Sequence, residues 1–425
     1  MNEKHVFGLA LGLTGTPWRV SDIRFDPEQR RLDIDLDFQP GSRFNHPTTG
    51  QPSPLHDTLQ RTWRHLNFFQ FFQFECYVHA FVPRVDGGPG DGGVKQVTVP
   101  WARPQSGFTL LLESMIVLCA RTGMTAAEVG RVLGEYAQRV WNVLFHHVER
   151  AHQAIDVQAV QTLSIDEVSK RRGHDYITVV SQPGDGKTRR ARVLYVTEGK
   201  DAAAVGRGQE WLASRGVEAG QIQTVCADMS PAYAKGVREH FPKAELVFDY
   251  FHVVAAVSAA LDAVRRRERQ SFPELLKGTR WLWLKGADKL TEEQKEQRRQ
   301  LCRGKLQTGR AYGHLEALRD LMKQKRAEAE RDLRWWCGWV ARSRIPEMVK
   351  AGRMVRNHWA GIVAYLKTGM TNGAAEALNG IVQTVKRKSR GFRTFEYFRT
   401  MIYLLASHLK FDLPDPVPTT HTKSL

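Results

Sequence analysis

The 425-residue chain predicts a multidomain α+β protein, and three observations carry that expectation. Strand-like alternation dominates the first hundred residues; three- and four-residue helical spacing takes over from Gly107 to about Ala154; from Val157 apolar runs of strand length alternate with helices. A long, charged helical stretch then separates this alternation from a last basic helical segment. The length also exceeds what one hydrophobic core usually serves, so two or three domains are expected.

Charge narrows the function class. Sixty-two Lys and Arg against 45 Asp and Glu leave a formal +17, more than solubility requires, and a polyanion is the simplest partner. A basic enzyme without a nucleic-acid role is the bland alternative. No window has the apolar length of a membrane span, and the N-terminal MNEKHVFGLALGLTGTPWRV has too short an apolar core for a signal peptide, so a cytoplasmic protein is expected. Five scattered cysteines, Cys76, Cys119, Cys226, Cys302 and Cys337, argue for reduced thiols and against a disulfide framework.

Residues 1–104 form the first expected unit. Ser21 to Phe38 reads as a strand pair turning near Pro27 to Gln29, and Thr62 to Val85 as a second sheet-like run. So small a sheet often depends on a metal. Trp63 and His65 read as packing or phosphate contacts. The glycine-rich DGGPGDGGVKQ, Asp86 to Gln96, reads as a linker.

Residues 105–155 read as a helix-turn-helix. Thr125 with Glu128 three residues on makes a capping box, Arg121 to Gly123 the preceding turn, and Gly134 to Ala137 the entry to a last helix. That helix would offer Gln138, Arg139 and Asn142 to a major groove; a plain helical hairpin of the core is the alternative.

From residue 156 to 253 the order is VQTLSIDEV, YITVVSQ and ARVLYVTEG as strands, the latter two joined across PGDGK. A helix from Asp201 to Arg215, the strand IQTVCADM, the helix SPAYAKGVREHF and the strand AELVFDYF follow. Three closely joined strands followed by strands alternating with helices describe a mixed sheet, antiparallel first and parallel after, which is the element order of the ribonuclease-H-like fold. In that fold the first and fourth strand ends lie side by side, bringing Asp166 and Asp228 together. Glu376 opens the last segment, AAEALNGIVQTVKRKSRGFRTFEYFRTMIYLL, ahead of Lys386, Arg387, Lys388, Arg390 and Arg393. A lone acid in a field built for phosphates suits metal-dependent chemistry on nucleic acid. Carboxylates hold Mg²⁺ or Mn²⁺ while leaving positions for water and phosphate. Asp166 would bridge two ions, with Asp228 on one and Glu376 on the other. Singly each acid has a structural reading, as a cap, a turn former or a dipole complement. Asp249 and His252 in FDYFHV either line the site or form a buried pair. Residues 254–370 read as an all-helical insertion. Within it Arg265 to Arg267, Trp281, Trp283, Trp335, Trp336 and Trp339 are DNA contacts or, for the tryptophans, core packing. The catalytic domain would resume at 371–412, and residues 413–425 read as a disordered tail.

Asp166, Asp228, FDYFHV and the AAEALNGIVQTVKRKSRGFRTFEYFR run together resemble the DDE transposases of bacterial insertion sequences, in the group called the ISL-three family. The resemblance extends from HPTTG and RTWRHLNFFQ to Leu405 and favours Asp166 over its neighbour Glu167. It implies a zinc-ribbon-like module at the start. There the family's first cysteine pair is replaced by His46 and Thr49, and Cys76 and His79 stand at the second. His46, His56, Cys76 and His79 are thus the candidate zinc ligands, the alternative being a polar sheet surface without metal. The activity implied is binding of the element's terminal inverted repeats with cleavage and strand transfer, by at least a dimer on paired DNA ends, at the bacterial nucleoid. A catalytically silent end-binding repressor and a structure-selective nuclease of the same fold are the alternative functions.

Overall fold

The computed structural model describes residues 3–68, 74–88, 93–170, 175–185, 190–286, 289–324 and 328–416. The centre of the glycine-rich linker (89–92), the tip of PGDGK (186–187) and most of the expected tail (417–425) lie outside the described residues. Two compact units are present, Met1–Ala154 with Leu409–Leu425, and Ile155–His408.

In the first unit, helix α1 (Glu3–Ala10) precedes a five-stranded sheet. Strands β1 (Trp18–Asp26) and β2 (Arg31–Phe38) are antiparallel about a turn in which the Asp26 carboxylate accepts the Glu28 and Gln29 N–H groups. The two-residue strands β3 (Phe44–Asn45) and β4 (Pro52–Ser53) make a separate ribbon. β5 (Leu55–Phe68) and β6 (Phe74–Asp86) are antiparallel, β2 joins β6 in parallel, and β7 (Val94–Gln96) pairs the end of β6. Alternation buries Cys76, Val78, Ala80 and Val82 on one face of β6, over Trp18, Ile34, Trp63 and Trp101. This sheet stands on an apolar core of its own.

Three helices complete the unit: α2 (Leu110–Arg121), α3 (Ala126–Leu133) and α4 (Ala137–Gln153). The Thr125–Glu128 capping box is formed, and α3 stops at Gly134 in the left-handed region (φ 70°). A side chain at Gly130 would meet the Glu135 carbonyl oxygen at 2.4 Å, so only glycine lets α4 start so close behind α3. Fully buried Glu113 fastens α2 to α4: it accepts from Arg103 Nε (2.9 and 3.0 Å) and Ser106 Oγ (2.7 Å) and meets His147 Nε2 at 2.7 Å.

The zinc expectation is corrected here. Cys76 and His79 are three apart on one strand, so they face opposite sides of the sheet. Cys76 is in the core, its thiol pushed up to about 12 by burial. Both His79 nitrogens are engaged, by Asp33 (2.6 Å) and Thr62 (2.9 Å). Buried His46 binds the Gly93 carbonyl and the Thr48 and Thr49 N–H groups, and His56 lies beside Asp57. Among the described residues no three His, Cys, Asp or Glu side chains are placed to hold a metal. Trp63 is core, and buried His65 meets Thr109, so both pack.

The second unit is built on the sheet order β10-β9-β8-β11-β12. β8 (Thr162–Ser169), β9 (Tyr176–Gln182) and β10 (Arg192–Glu198) are successive antiparallel strands; β11 (Thr224–Ala227) and β12 (Glu245–Phe248) run parallel to β8. Helices α5 (Ala202–Ala213) and α6 (Pro231–His240) pack on one another and, through Val205, Leu212, Tyr233 and Val237, share a core with β8–β11. After β12 come α7 (Tyr250–Ser271), α8 (Pro273–Leu276), α9 (Arg280–Leu284), α10 (Glu292–Arg303), α11 (Gln307–Lys323), α12 (Ala329–Ala341), α13 (Pro346–Asn357) and α14 (Trp359–Thr368). These helices share one core with Cys226, Val247 and Phe248 of the sheet. Gly361 of α14 lies against the Phe248 ring, where a Cβ would come within 2.4 Å. Glu268 at the end of α7 caps α11, accepting from Gln307 N (2.6 Å), Thr308 N (2.8 Å) and Thr308 Oγ1 (2.7 Å). The chain then returns through α15 (Gly373–Lys388) and α16 (Phe395–Ala406), the latter held to β10 by the Val196 N–H donating to Tyr403 Oη.

The tryptophans of the helical stretch divide. Trp283 and Trp336 are core, with indole N–H groups donated to Thr279 and to the His314 carbonyl. Trp281 and Trp335 are exposed. The arginines expected to reach DNA are paired: Arg265 and Arg266 with Asp262, Arg267 with Glu347. No helix among the described residues is long and apolar enough to cross a membrane.

Candidate active site and nucleic-acid interface

Sheet register brings the acids together. Ala227 is level with Ile165 on β8 and with Phe248 on β12, so the next residues, Asp166 inside β8 and Asp228 and Asp249 just past the ends of β11 and β12, follow one level of three neighbouring parallel strands. Asp249, noted in the sequence only as a possible lining residue, is thus level with the other two, although 21 residues beyond Asp228.

Each acid is held differently. Asp166 is buried, with its Oδ1 near the Glu167 N–H and its Oδ2 accepting from Asn379 Nδ2 at 2.7 Å. Burial pushes its carboxyl up to about 6; the Glu167 N–H and His252 oppose the rise and the Asp228 carboxylate adds to it. Asp228 is half-buried and accepts the Ser230 N–H at 2.9 Å at the entry to α6. Asp249 is buried and caps α7 through the Phe251 N–H; burial raises its carboxyl, and N–H groups of Phe251 and Asn372 draw it back. Glu167 faces away from this row toward Lys200.

Helix α15 lies over the row. Its second turn is tied by Asn379 to Asp166, and its last turn by Lys386 Nζ to the Ser169 carbonyl at 2.6 Å. Glu376 is exposed in the first turn, three residues before Asn379 and therefore on the same face. Asp166, inside β8, and Asp228, just past β11, are brought to neighbouring strands, and Glu376 to within a helical turn of the Asn379–Asp166 bond. The three do not close into a ready ligand set, since no such trio exists among the described residues.

Of the basic residues, Lys386 is committed to β8, while Arg387, Lys388, Arg390 and Arg393 are exposed. Three of the five also stand in the last turn of α15, where cations complement the helix dipole. In the first unit, Gln138 and Asn142 are exposed and linked to one another at 3.2 Å on α4. Arg139 is held by Glu135 (2.6 Å) and stacked on Phe108 (4.1 Å). The sequence reading missed Asn379. The signal was there: a polar side chain one turn beyond Glu376, on the side of the helix that buries Leu378 and Val382.

The family model for ISL3-type DDE elements, described as "Transposase", matches residues 163–402, which is more than half of the chain. A second, the "Helix-turn-helix domain of transposase family ISL3", matches residues 97–148. The transposase for insertion sequence element IS1557 of Mycobacterium tuberculosis is 28% identical over 382 residues, 82% of each chain. The transposase for insertion sequence element IS1001 of Bordetella parapertussis is 29% identical over 255 residues, 57% of this chain and 60% of the relative. With strands, acids and helix-turn-helix in the matched segments, the chain belongs to the ISL3 family of DDE transposases, enzymes that cut and join DNA.

Proposed function

We propose that this transposase recognises the terminal inverted repeats of its own insertion sequence and cuts and rejoins DNA with two divalent ions, Mg²⁺ or Mn²⁺, held by Asp166, Asp228 and Glu376. The observation that carries the reading is the level pair Asp166–Asp228 beneath the helix that bears Glu376. The strand order of the second unit supports a ribonuclease-H-like catalytic domain. The donor set is of hard carboxylate oxygens, which suits Mg²⁺ or Mn²⁺ and not a softer metal. Buried Asn379 Oδ1, without a hydrogen-bond partner among the described residues, fits a site completed by a further polar group.

When bound, such a pair of ions would activate a water or a DNA 3'-hydroxyl and stabilise the leaving oxygen. The protein's part is placement. β8 and the end of β11 fix Asp166 and Asp228 on neighbouring strands, and α15 bears Glu376 one turn from the Asn379–Asp166 bond. The exposed Arg387, Lys388, Arg390 and Arg393 would hold the phosphate backbone beside that point, and Gln138, Arg139 and Asn142 would read the repeat. Pairing two ends calls for at least a dimer on double-stranded DNA, which places the protein with the bacterial nucleoid.

The test is cleavage of a duplex carrying the element's terminal repeat by the purified chain with Mg²⁺, beside Asp166→Asn, Asp228→Ala and a metal-free control. Nicking at the repeat boundary that needs Mg²⁺ and both aspartates is expected, with repeat binding kept by the variants. Tight binding without cutting under any metal would refute the catalytic reading.

A further inference from the structure

The Asn379 amide joins α15 to an acid of the row. Its Nδ2–H occupies Asp166 Oδ2, and its own Oδ1 is buried with no partner among the described residues. Nearby at the helix start, Asn372 is fully buried and neither of its side-chain polar atoms has a hydrogen-bond partner among the described residues. Buried polar groups are normally paired, and exceptions call for an explanation.

We infer that Asn379 is the positioning residue that couples the Asp166 carboxylate to the helix presenting Glu376. This role rests on the proposed function, in which these two acids are metal ligands. An aspartate carboxylate can turn about its side-chain torsions even where a strand holds its backbone, as β8 holds Asp166. The Glu167 N–H alone is a local contact of Asp166 with its own neighbour and fixes little beyond the strand. The Asn379 N–H fixes the second oxygen from another element and leaves each oxygen a lone pair for a cation. Because Asn379 and Glu376 are one turn apart on one face, the same bond sets the rotation of α15, and with it how Glu376 meets the row. Lys386 on Ser169 holds the last turn of the helix independently, so losing Asn379's amide frees the acids and the helix start while α15 stays attached to β8.

The experiment is calorimetric titration of Mn²⁺ into the full chain without DNA, for wild type, Asn379→Ala and Asn379→Gln, with thermal unfolding of each. Single-turnover cleavage of the terminal-repeat duplex over a range of Mn²⁺ runs in parallel. Asn379→Ala is expected to weaken Mn²⁺ binding about 10- to 100-fold, the usual range for a group that orients a metal ligand. It should also raise the Mn²⁺ needed for half-maximal cleavage, while melting and repeat binding stay near wild type. Asn379→Gln keeps an amide and should recover part of the affinity, which a merely space-filling role would not predict. Wild-type Mn²⁺ affinity and requirement in Asn379→Ala would overturn the assignment. Should Asn379→Ala fail to fold, Asn379→Leu, of similar size without the amide, takes its place, and wild-type Mn²⁺ affinity in that folded variant would overturn the assignment. If wild type binds Mn²⁺ but cuts no DNA, the proposed function fails and the Mn²⁺ titration alone decides the role of Asn379. A wild-type chain that binds no Mn²⁺ overturns both.

Discussion

Replacing Glu113 by alanine tests the architecture behind the helix-turn-helix. Its carboxylate is fully buried and collects Arg103, Ser106 and His147 within 2.7 to 3.0 Å, so it joins the segment before α2, α2 itself and α4. Removing it leaves the Arg103 guanidinium, only one-fifth exposed, without its anion. Breaking a buried pair in this way typically costs about 3–5 kcal/mol. That is a large share of the about 5–15 kcal/mol by which domains are stable. The assay is urea unfolding of the full chain at pH 7, with repeat binding measured below the transition. The expected result is an early transition for the first unit and loss of binding through α4, whose exposed Gln138 and Asn142 are remote from the substitution in sequence. The same network fixes a pH signature. Burial alone would raise the Glu113 carboxyl, but His147, Ser106 and Arg103 together bring it below its ordinary 4.5. A carboxyl lowered on folding stabilises fully above its unfolded value and stops doing so as pH falls through its folded value. Wild type should therefore lose stability below about pH 4.5 from this group, and Glu113→Ala should lack that component. A variant within about 1 kcal/mol of wild type, with an unchanged acid limb, would refute the reasoning.

Three further outcomes are expected. Arg387→Gln with Lys388→Gln should weaken end binding and flatten the slope of log affinity against log salt by about 1.8, roughly 0.9 for each phosphate no longer neutralised; Lys386→Gln, whose nitrogen is tied to Ser169, should instead lower cleavage with little change in slope, and equal slope changes for all three would contradict this division. Zinc chelators should leave the melting temperature of the first unit unchanged and metal analysis should find no stoichiometric zinc, because Cys76 and His79 face opposite sides of the sheet; a stoichiometric zinc released with loss of structure would show the correction to be mistaken. Glu268→Ala should destabilise the helical part of the second unit by about 1–3 kcal/mol, since two N–H groups and a hydroxyl at the start of α11 lose their acceptor; unchanged denaturant unfolding would show that water replaces it freely.

What the sequence determined by itself is what a short window of chain encodes. The alternation of DIRFD and RLDIDLDF gives β1 and β2, and Thr125 with Glu128 gives the start of α3. Apolar runs and intervening helices give the order of elements around Asp166 and Asp228, and the final motif supplied the family. These rest on periodicity, caps and turns among residues within a few positions of one another. Tertiary structure decided the matters that join distant segments. Only register across β8, β11 and β12 makes Asp249 level with the two predicted aspartates, and only docking of α15 joins Asn379 to Asp166 across 213 positions. The same holds for the zinc expectation, which a list of Cys and His residues allowed and the pleat of β6 removed by turning neighbours in sequence to opposite faces. It holds also for the tryptophans, whose burial depends on which helices meet, and for Lys386, whose charge suggested phosphate but whose nitrogen sits on a carbonyl of β8. A side chain's partner is set by the packing of whole elements, and that information is spread over the entire chain.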